Sequence, residues 1–439
     1  MSIRKKSRII AAIVLIVCLT LMLGCAGQGG GGQSSPPSSS QSSAPSSPTI
    51  PTGRDYILIG IPNPTTGPLA SFGYGTPWAE NLVVDYINNK GGIYMEEYGV
   101  SMPVRIVTVD TASDFAQAGE VTRGLVLNEK VDLLLARHTP GTAIPVTVMG
   151  NSMRVPVISM ESPTNAWLEG GPYDWAFHSF WSAEMVCETF AQAWLNAGLE
   201  GATVGLLFPN EPDGITWGDV FNQRLPELGF KISDAGRWPP DQADFSTVIN
   251  QFASDGVDIV TGSVSPPDFG TYIVQSKQLG FWPKLHTVGR AYLFPASVQE
   301  YGDEIGDGLT SEVWWSPDFP YKCAVTGITP RELCDLYEKE FNERWSSVIG
   351  YKHAIVAQAI DVLQRAGSLD PAKIRDAIAA TDLDTLVGHI KYNEQGVSYQ
   401  PVTFGQWQKD PATGEIMLII TDSPLYPEIP APGTTRLNP

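Results

Sequence analysis

The chain has 439 residues, 43% apolar and 17% charged, with a formal net charge of −19. That length exceeds one usual domain, and that apolar share can fill a packed core, so wholesale disorder is excluded. The acid excess excludes a protein that coats nucleic acid or anionic lipid through its overall charge.

The charge is uneven. Residues 1–24 hold Arg4, Lys5, Lys6 and Arg8 and no acid, and taking those four charges away from −19 leaves −23 on the rest. The uncharged run over residues 9–23 is short for a membrane span but fits the apolar core of an export signal. It ends in Leu21-Met22-Leu23-Gly24-Cys25, and a small residue just before Cys is the form of a lipoprotein cleavage site. A lipoprotein signal peptide over residues 1–24 is therefore expected. Lipidation at Cys25 then holds the body by acyl chains on the outer face of the cytoplasmic membrane. An uncleaved amino-terminal anchor is the alternative, and it too places the body outside. Residues 25–53 are almost wholly Gly, Ser, Pro and Gln and carry no charge, which predicts a flexible tether.

The folded part then alternates strand and helix. Residues 56–61 (YILIGI) read as a buried strand, and Thr76-Pro77 as the start of a helix that stops at Gly91-Gly92. PVRIVTVD is a strand and FAQAGEVTRGLVLNE a helix. VDLLLA is a strand with a helix over residues 142–152, and VPVISM a strand with a helix over residues 183–196. ATVGLLF, GFKISDA, VDIVTGS and KLHTVG are further strands, each followed by a helical pattern or loop. This alternation predicts an α/β protein with parallel sheets and crossover helices, and the strand count predicts two lobes. Cys187 falls on an apolar helical stretch and reads as a buried free thiol. Cys323 and Cys334 are close in sequence and are expected to form a disulfide outside the cell, with two buried thiols as the alternative.

In open α/β sheets, ligands bind beyond the carboxyl ends of the strands. Three loops there are candidates. One runs from Asn63 through Ser71, Phe72 and Gly73. The second is Arg137-His138-Thr139-Pro140-Gly141-Thr142. The third is Met160-Glu161-Ser162-Pro163-Thr164-Asn165. Hydroxyls and free N–H groups at helix starts suit a carboxylate or another polar anion.

The stretches IGIPNPTTGPLASFG, INNKGGI, VTVDTASD, VPVISMESPTN, WGDVFNQRLPELGF, QADFSTVINQFASDGVDIV and LVGHIKYNEQG, in that order, resemble the leucine/isoleucine/valine-binding family of type I periplasmic solute-binding proteins. The resemblance runs from Tyr56 to about Trp407. It implies two doubly wound parallel-sheet lobes joined by three crossover segments. The expected division gives residues 54–180 and 313–388 to lobe one, residues 181–312 and 389–425 to lobe two, and residues 426–439 to a tail. It also implies a small-molecule solute clamped between the lobes, partnership with an ABC permease and its ATPase subunits, and no cofactor, metal or nucleic acid. The site residues it implies are Ser71 and Phe72 in the first loop, Thr139 or Thr142 in the second, and Ser162 and Thr164 in the third. Trp217, followed by Gly218, is expected to cover the ligand from lobe two.

Two features depart from that family's pattern. The acid that pairs with an amino-acid ammonium after the strand equivalent to KLHTVG is absent, because the chain reads Gly289-Arg290-Ala291. The family's Tyr after VDIVTGS is absent too. Burying an ammonium without a carboxylate costs several kcal/mol or so. A simple α-amino acid is thus not expected unless Asp213, Asp268 or Glu161 substitutes. Arg290 is expected to face a second carboxylate on the solute, with a surface or hinge salt bridge as the alternative. His138 lies in a ligand loop, yet a lone His is more often a structural group. No nucleophile–base pair, HExxH helix or phosphate loop is visible, so the chain is not expected to be an enzyme. A ligand-sensing receptor component built on the same clamp is the alternative, with a secreted enzyme ranked below it.

Overall fold

The computed structural model describes residues 50, 53–73, 75–410 and 414–439. The expected signal peptide, Cys25 and nearly all of the tether lie outside the described residues. No helix among the described residues is long and apolar enough to cross a membrane.

Two sheets organise the chain. The first runs Val397–Ser398, Ala176–Ser179, Val157–Met160, Leu133–Ala136, Ile57–Asn63, Val104–Asp110, with every pairing parallel. Side chains alternate across its faces. Ile57, Ile59, Ile61, Leu133 and Leu135 enter the main core, while Leu58, Leu134 and Ala136 enter a second cluster with Val146, Val157 and Trp167. A sheet buried on both faces accounts for strands that read as continuous apolar runs.

The second sheet runs Ile416–Asp422, Thr403–Lys409, Thr310–Val313, Leu285–Gly289, Ile259–Ser263, Thr203–Leu207, Lys231–Asp234. Its last five strands are parallel. The first two are antiparallel additions at one edge, which the sequence reading did not contain. They arise because the chain enters this sheet a final time as a hairpin, and hairpin strands must be antiparallel.

The chain passes between the sheets three times: after Ser179, after Val313 and after Ser398. The helix Ile349–Ala366 packs against the helix Thr76–Asn88 and the strand Val157–Met160, and so belongs with the first sheet. The final return lies later than expected. Val397–Ser398 pairs in parallel with Ala176–Ser179, so the chain is still in the first sheet at those residues, after the separate hairpin Asp382–Thr385/Gly388–Lys391. The tail is built against the second sheet, where Arg436 N donates to Gln406 Oε1 at 2.9 Å and Asn438 N to Lys284 O at 2.9 Å.

The helix Thr76–Asn88 ends as the Gly-Gly pair demands. Gly92 has φ 83°, and a Cβ there would lie 2.4 Å from Met102 O. The disulfide expectation is corrected. Cys323 and Cys334 are separate buried thiols, like Cys187. Cys334 is on the buried face of the helix Pro330–Phe341, and burial raises its thiol pKa.

Candidate functional site

Sheet order locates the site. In the first sheet, the strands either side of Ile57–Asn63 come later in sequence, so its crossovers run in opposite directions. The same holds around Thr203–Leu207 in the second sheet. Crevices open at such switch points, beyond the carboxyl ends of the strands.

On the first sheet, the loop after Ile57–Asn63 carries the short 3-10 turn Ala70–Gly73. Ser71 is partly exposed. Phe72 is fully buried, with its ring 5.0 Å from Phe294, edge to face, and 6.0 Å from Trp314. Phe294 follows a second-sheet strand, so Phe72 bridges the two halves of the molecule. In the second loop the helix begins earlier than expected, as Thr139–Ser152, behind His138. His138 and Thr139 adopt φ values of 70° and 64°. Thr139 N donates to Glu161 O at 2.8 Å, which couples the second loop to the third. Thr139 and Thr142 are both buried. In the third loop Ser162 is completely buried, and its Oγ has no hydrogen-bond partner among the described residues. Thr164 differs from its expected role. Its hydroxyl donates to the Phe180 and Trp181 carbonyls at 3.1 and 3.2 Å, fixing this loop to the first crossing.

From the second sheet, the helix Pro212–Glu227 brings Trp217. Trp217 is fully buried, stacked on Phe221 with centroids 5.6 Å apart, and edge-on to Trp181 at 5.5 Å. The indole nitrogens of Trp217 and Trp181 are both buried without partners among the described residues. The helix Pro212–Glu227 also meets the helices Thr139–Ser152 and Thr164–Glu169, so elements from both halves face each other here.

Charge beneath these loops is paired. Lys352, on the helix Ile349–Ala366, places Nζ 2.8 Å from each Glu161 oxygen and 2.7 Å from His138 Nδ1. All three side chains are fully buried. Burial lowers the Lys352 pKa to about 7, with Glu161 opposing that shift. Burial, then the Lys352 and Arg137 charges, holds His138 well below the ordinary imidazole value, so it is neutral. Arg137 pairs with Glu80. Burial also takes His178 down to about 3, and its ring bridges Ser159 Oγ at 2.9 Å and Ser162 O at 2.7 Å.

The Arg290 expectation is corrected. Its Nη1 lies 2.7 Å from Asp213 Oδ2 and 2.8 Å from Glu211 Oε1. Burial works against the charge, but the two carboxylates more than offset it and raise the guanidinium pKa. Arg290 thus answers acids of its own half and is not left for a second solute carboxylate. Of the three proposed substitute acids, Glu161 is held by Lys352 and Asp268 accepts from Ser265 Oγ at 2.8 Å. Asp213 is engaged as well, by Arg290 and by Ser263 Oγ, with Glu211 beside it as a second carboxylate on the same guanidinium. One further acid was missed. Glu312 accepts from Arg290 N at 3.2 Å, Trp314 Nε1 at 3.2 Å and Ser311 Oγ at 2.7 Å, and burial raises its carboxyl to about 7. It lies against Trp217, since a Cβ on Gly289 would be 2.9 Å from Glu312 Oε2 and 2.7 Å from the indole.

Two lobes of this topology, with facing loops at both switch points, define a solute-binding protein. The chain belongs to the periplasmic binding protein family, whose profile matches residues 57–413. That family is extracytoplasmic, and its members bind solutes and are not enzymes. A Leu/Ile/Val-binding protein homolog 7 of Brucella abortus is 23% identical over 406 residues, covering 89% of this chain and 96% of the relative. A leucine-binding protein of Thermotoga maritima has a similar structure, with TM-score 0.71, 19% identity, and 84% and 99% of the two chains covered. A solute-binding protein of Rhodopseudomonas palustris, solved with 3,4-dihydroxybenzoic acid, superposes with TM-score 0.67 at 17% identity, covering 87% and 99%.

Proposed function

We propose that this protein is the solute-binding lipoprotein of an ABC importer. It is held by a lipid on Cys25 at the outer face of the cytoplasmic membrane. It closes two lobes on a small polar solute carrying a carboxylate or amide, and delivers that solute to a permease served by ATPase subunits. Lobe one comprises residues 54–180 and 313–398, and lobe two residues 181–312 and 399–425 with the tail.

The observation that carries this reading is three buried polar atoms without partners among the described residues: Ser162 Oγ in the third loop, Trp181 Nε1 at the first crossing and Trp217 Nε1 on the helix Pro212–Glu227. Each buried group left unpaired costs about 1–3 kcal/mol. Acceptor oxygens of a solute remove that cost. Trp217 then covers the solute from lobe two and Phe72 closes the pocket's edge. Closure is favoured only by the solute's extra affinity for the closed form.

Charge narrows the solute class. Two acids, Glu211 and Asp213, meet the single Arg290. Their excess supports a solute with an ammonium or amide donor on the lobe-two side, and so favours an amino acid over a dicarboxylate. The relatives named for leucine, isoleucine and valine agree with this choice. Thermal unfolding of the protein with L-leucine, L-isoleucine, L-valine, benzoate, 3,4-dihydroxybenzoate and succinate tests it. An amino acid is expected to raise Tm, with about 2.7 kcal/mol of stabilisation at a hundredfold excess over Kd. Stabilisation by succinate alone overturns the choice of class, and a panel with no stabilising compound overturns solute binding.

A further inference from the structure

The hydrogen bonding of His138 fixes where its proton sits. Lys352 Nζ lies 2.7 Å from His138 Nδ1. Held as an ammonium by the Glu161 carboxylate, Lys352 has donors and no acceptor, so in that state Nδ1 accepts and the imidazole proton is on Nε2. The three neighbours of Nζ, namely Nδ1 and the two Glu161 oxygens, match the three N–H bonds of an ammonium. The Nε2–H so created is completely buried and has no partner among the described residues. It belongs to the residue that precedes the 14-residue helix Thr139–Ser152, whose first N–H groups and positive dipole end favour an acceptor. Ser162 Oγ, in the loop joined to this one through the Thr139 N to Glu161 O bond, is likewise buried and unpartnered.

We propose that His138, locked as the Nε2–H tautomer by Lys352, is a solute-contacting donor that takes an acceptor oxygen of the bound solute. The inference rests on the solute-binding reading above and adds a residue to it. The chemistry is specific. The ionised groups around the ring come in opposite pairs, Lys352 with Glu161 and Arg137 with Glu80. His138 therefore offers a neutral, directed N–H that binds a carboxylate, carbonyl or hydroxyl oxygen without adding net charge. Lys352 and Glu161 are positioning residues. They hold the ring and its tautomer from lobe one, so the donor is preorganised before the solute arrives.

Nuclear magnetic resonance of the protein labelled with 15N-histidine tests this without substitution. In the free protein the His138 ring is expected to show a protonated Nε2 and an unprotonated Nδ1. Adding whichever compound of the thermal-unfolding panel raises Tm (L-leucine, L-isoleucine, L-valine, benzoate, 3,4-dihydroxybenzoate or succinate) is expected to shift the Nε2–H signal. His138→Phe, which keeps a flat ring and removes the donor, is expected to weaken binding roughly tenfold or more, with His138→Gln recovering part of the loss. An Nδ1–H tautomer donating to Glu161 (3.5 Å away), or an imidazolium, overturns the proposal. So does a probe that raises Tm while the His138 signals stay unchanged. If no compound of that panel raises Tm, the solute reading fails and this inference falls with it, a result distinct from binding without His138.

Discussion

Lys352→Met tests the ion pair beneath the loops directly. Methionine keeps the length and nearly the volume of lysine, so little cavity cost is added. What is lost is the ammonium 2.8 Å from both Glu161 oxygens, in a place where neither side chain reaches water. Removing one member of a buried pair strands the other, at a cost of about 3–5 kcal/mol. The partner experiment is Lys352→Met with Glu161→Gln, which removes both charges. If the cost lies in the stranded carboxylate, the double variant recovers about half of the loss, because a neutral amide is cheaper to bury than a charge. Unfolding by guanidinium, followed by tryptophan fluorescence and circular dichroism, measures both differences. A single variant that loses less than about 1 kcal/mol, or a double variant no more stable than the single, refutes the claim that Lys352 and Glu161 form a mutually dependent buried pair.

Other variants probe different parts of the molecule. Glu312 has its carboxyl raised by burial to about 7, above its ordinary value of 4.5. The folded chain thus binds more protons between those values, and this stabilisation is full below pH 4.5 and lost as pH rises through 7. The difference amounts to about 3 kcal/mol. Glu312→Gln keeps the acceptor for Arg290 N and Trp314 Nε1, so it is expected to gain on the parent in Tm at pH 8 relative to pH 5; an unchanged gap at the two pH values counts against the assignment. Trp217→Phe is expected to lose solute affinity by tenfold or so in calorimetry through loss of its indole N–H and ring area, and equal affinity in a folded variant ends the claim that Trp217 covers the solute. Cys187, Cys323 and Cys334 are expected to react with a thiol reagent only after denaturation, without prior reductant, whereas a need for reductant restores the disulfide.

Much of the fold is legible in the chain because parallel strands buried on both faces leave an unambiguous mark. VDLLLA and VPVISM are apolar but for Asp132 and Ser159, and both appear as central strands of the first sheet. The helix over residues 183–196 has the expected bounds because Ser182 accepts from Met185 N at its start and because its apolar spacing is regular. The short strands were not legible. Val397–Ser398 has two residues, and only its pairing with Ala176–Ser179 makes it a strand. The edge hairpin of Thr403–Lys409 and Ile416–Asp422 was hidden by the expectation of parallel order. The site was legible at its loops but not in its charges. Lys352 offers one signal in hindsight: a single cation inside the apolar run IGYKHAIVAQAI is seldom buried without an acid. Its acid, Glu161, was visible as a loop residue, but 191 positions separate the two in the chain. The correction at Arg290 has the same origin. Its neighbours Asp213 and Glu211 come from a different strand–helix turn, and only the sheet order brings them together.

The forces between the two sheets differ from those within each. Within a half, the polar groups are answered locally: Lys352 by Glu161, Arg290 by Asp213 and Glu211, Thr164 by the crossing backbone. Across the halves, the ties are of several kinds: Asn165 Nδ2 lies 2.7 Å from both Glu184 oxygens, Asn165 Oδ1 accepts from Ala183 N at 2.9 Å, and aromatic rings and exposed charges add others. Phe72 on Phe294 contributes about 0.5–1.5 kcal/mol beyond area burial. Arg344, next to the first-sheet helix Ile349–Ala366, reaches Glu415 at the second-sheet hairpin, with Nε 3.0 Å from Oε2. That pair is exposed and worth about 0–1 kcal/mol. The Phe72–Phe294 and Arg344–Glu415 contacts together are of the same order as the cost of one or two unpaired buried donors. On the clamp reading, then, the closed arrangement without solute is close to balance, and a few kcal/mol of solute contact is enough to shift the population. Strong ties between the halves would close the cleft whether or not a solute were present, and a permease could not tell the loaded protein from the empty one. On the clamp reading, pairs buried inside each half keep that half intact while the solute decides closure.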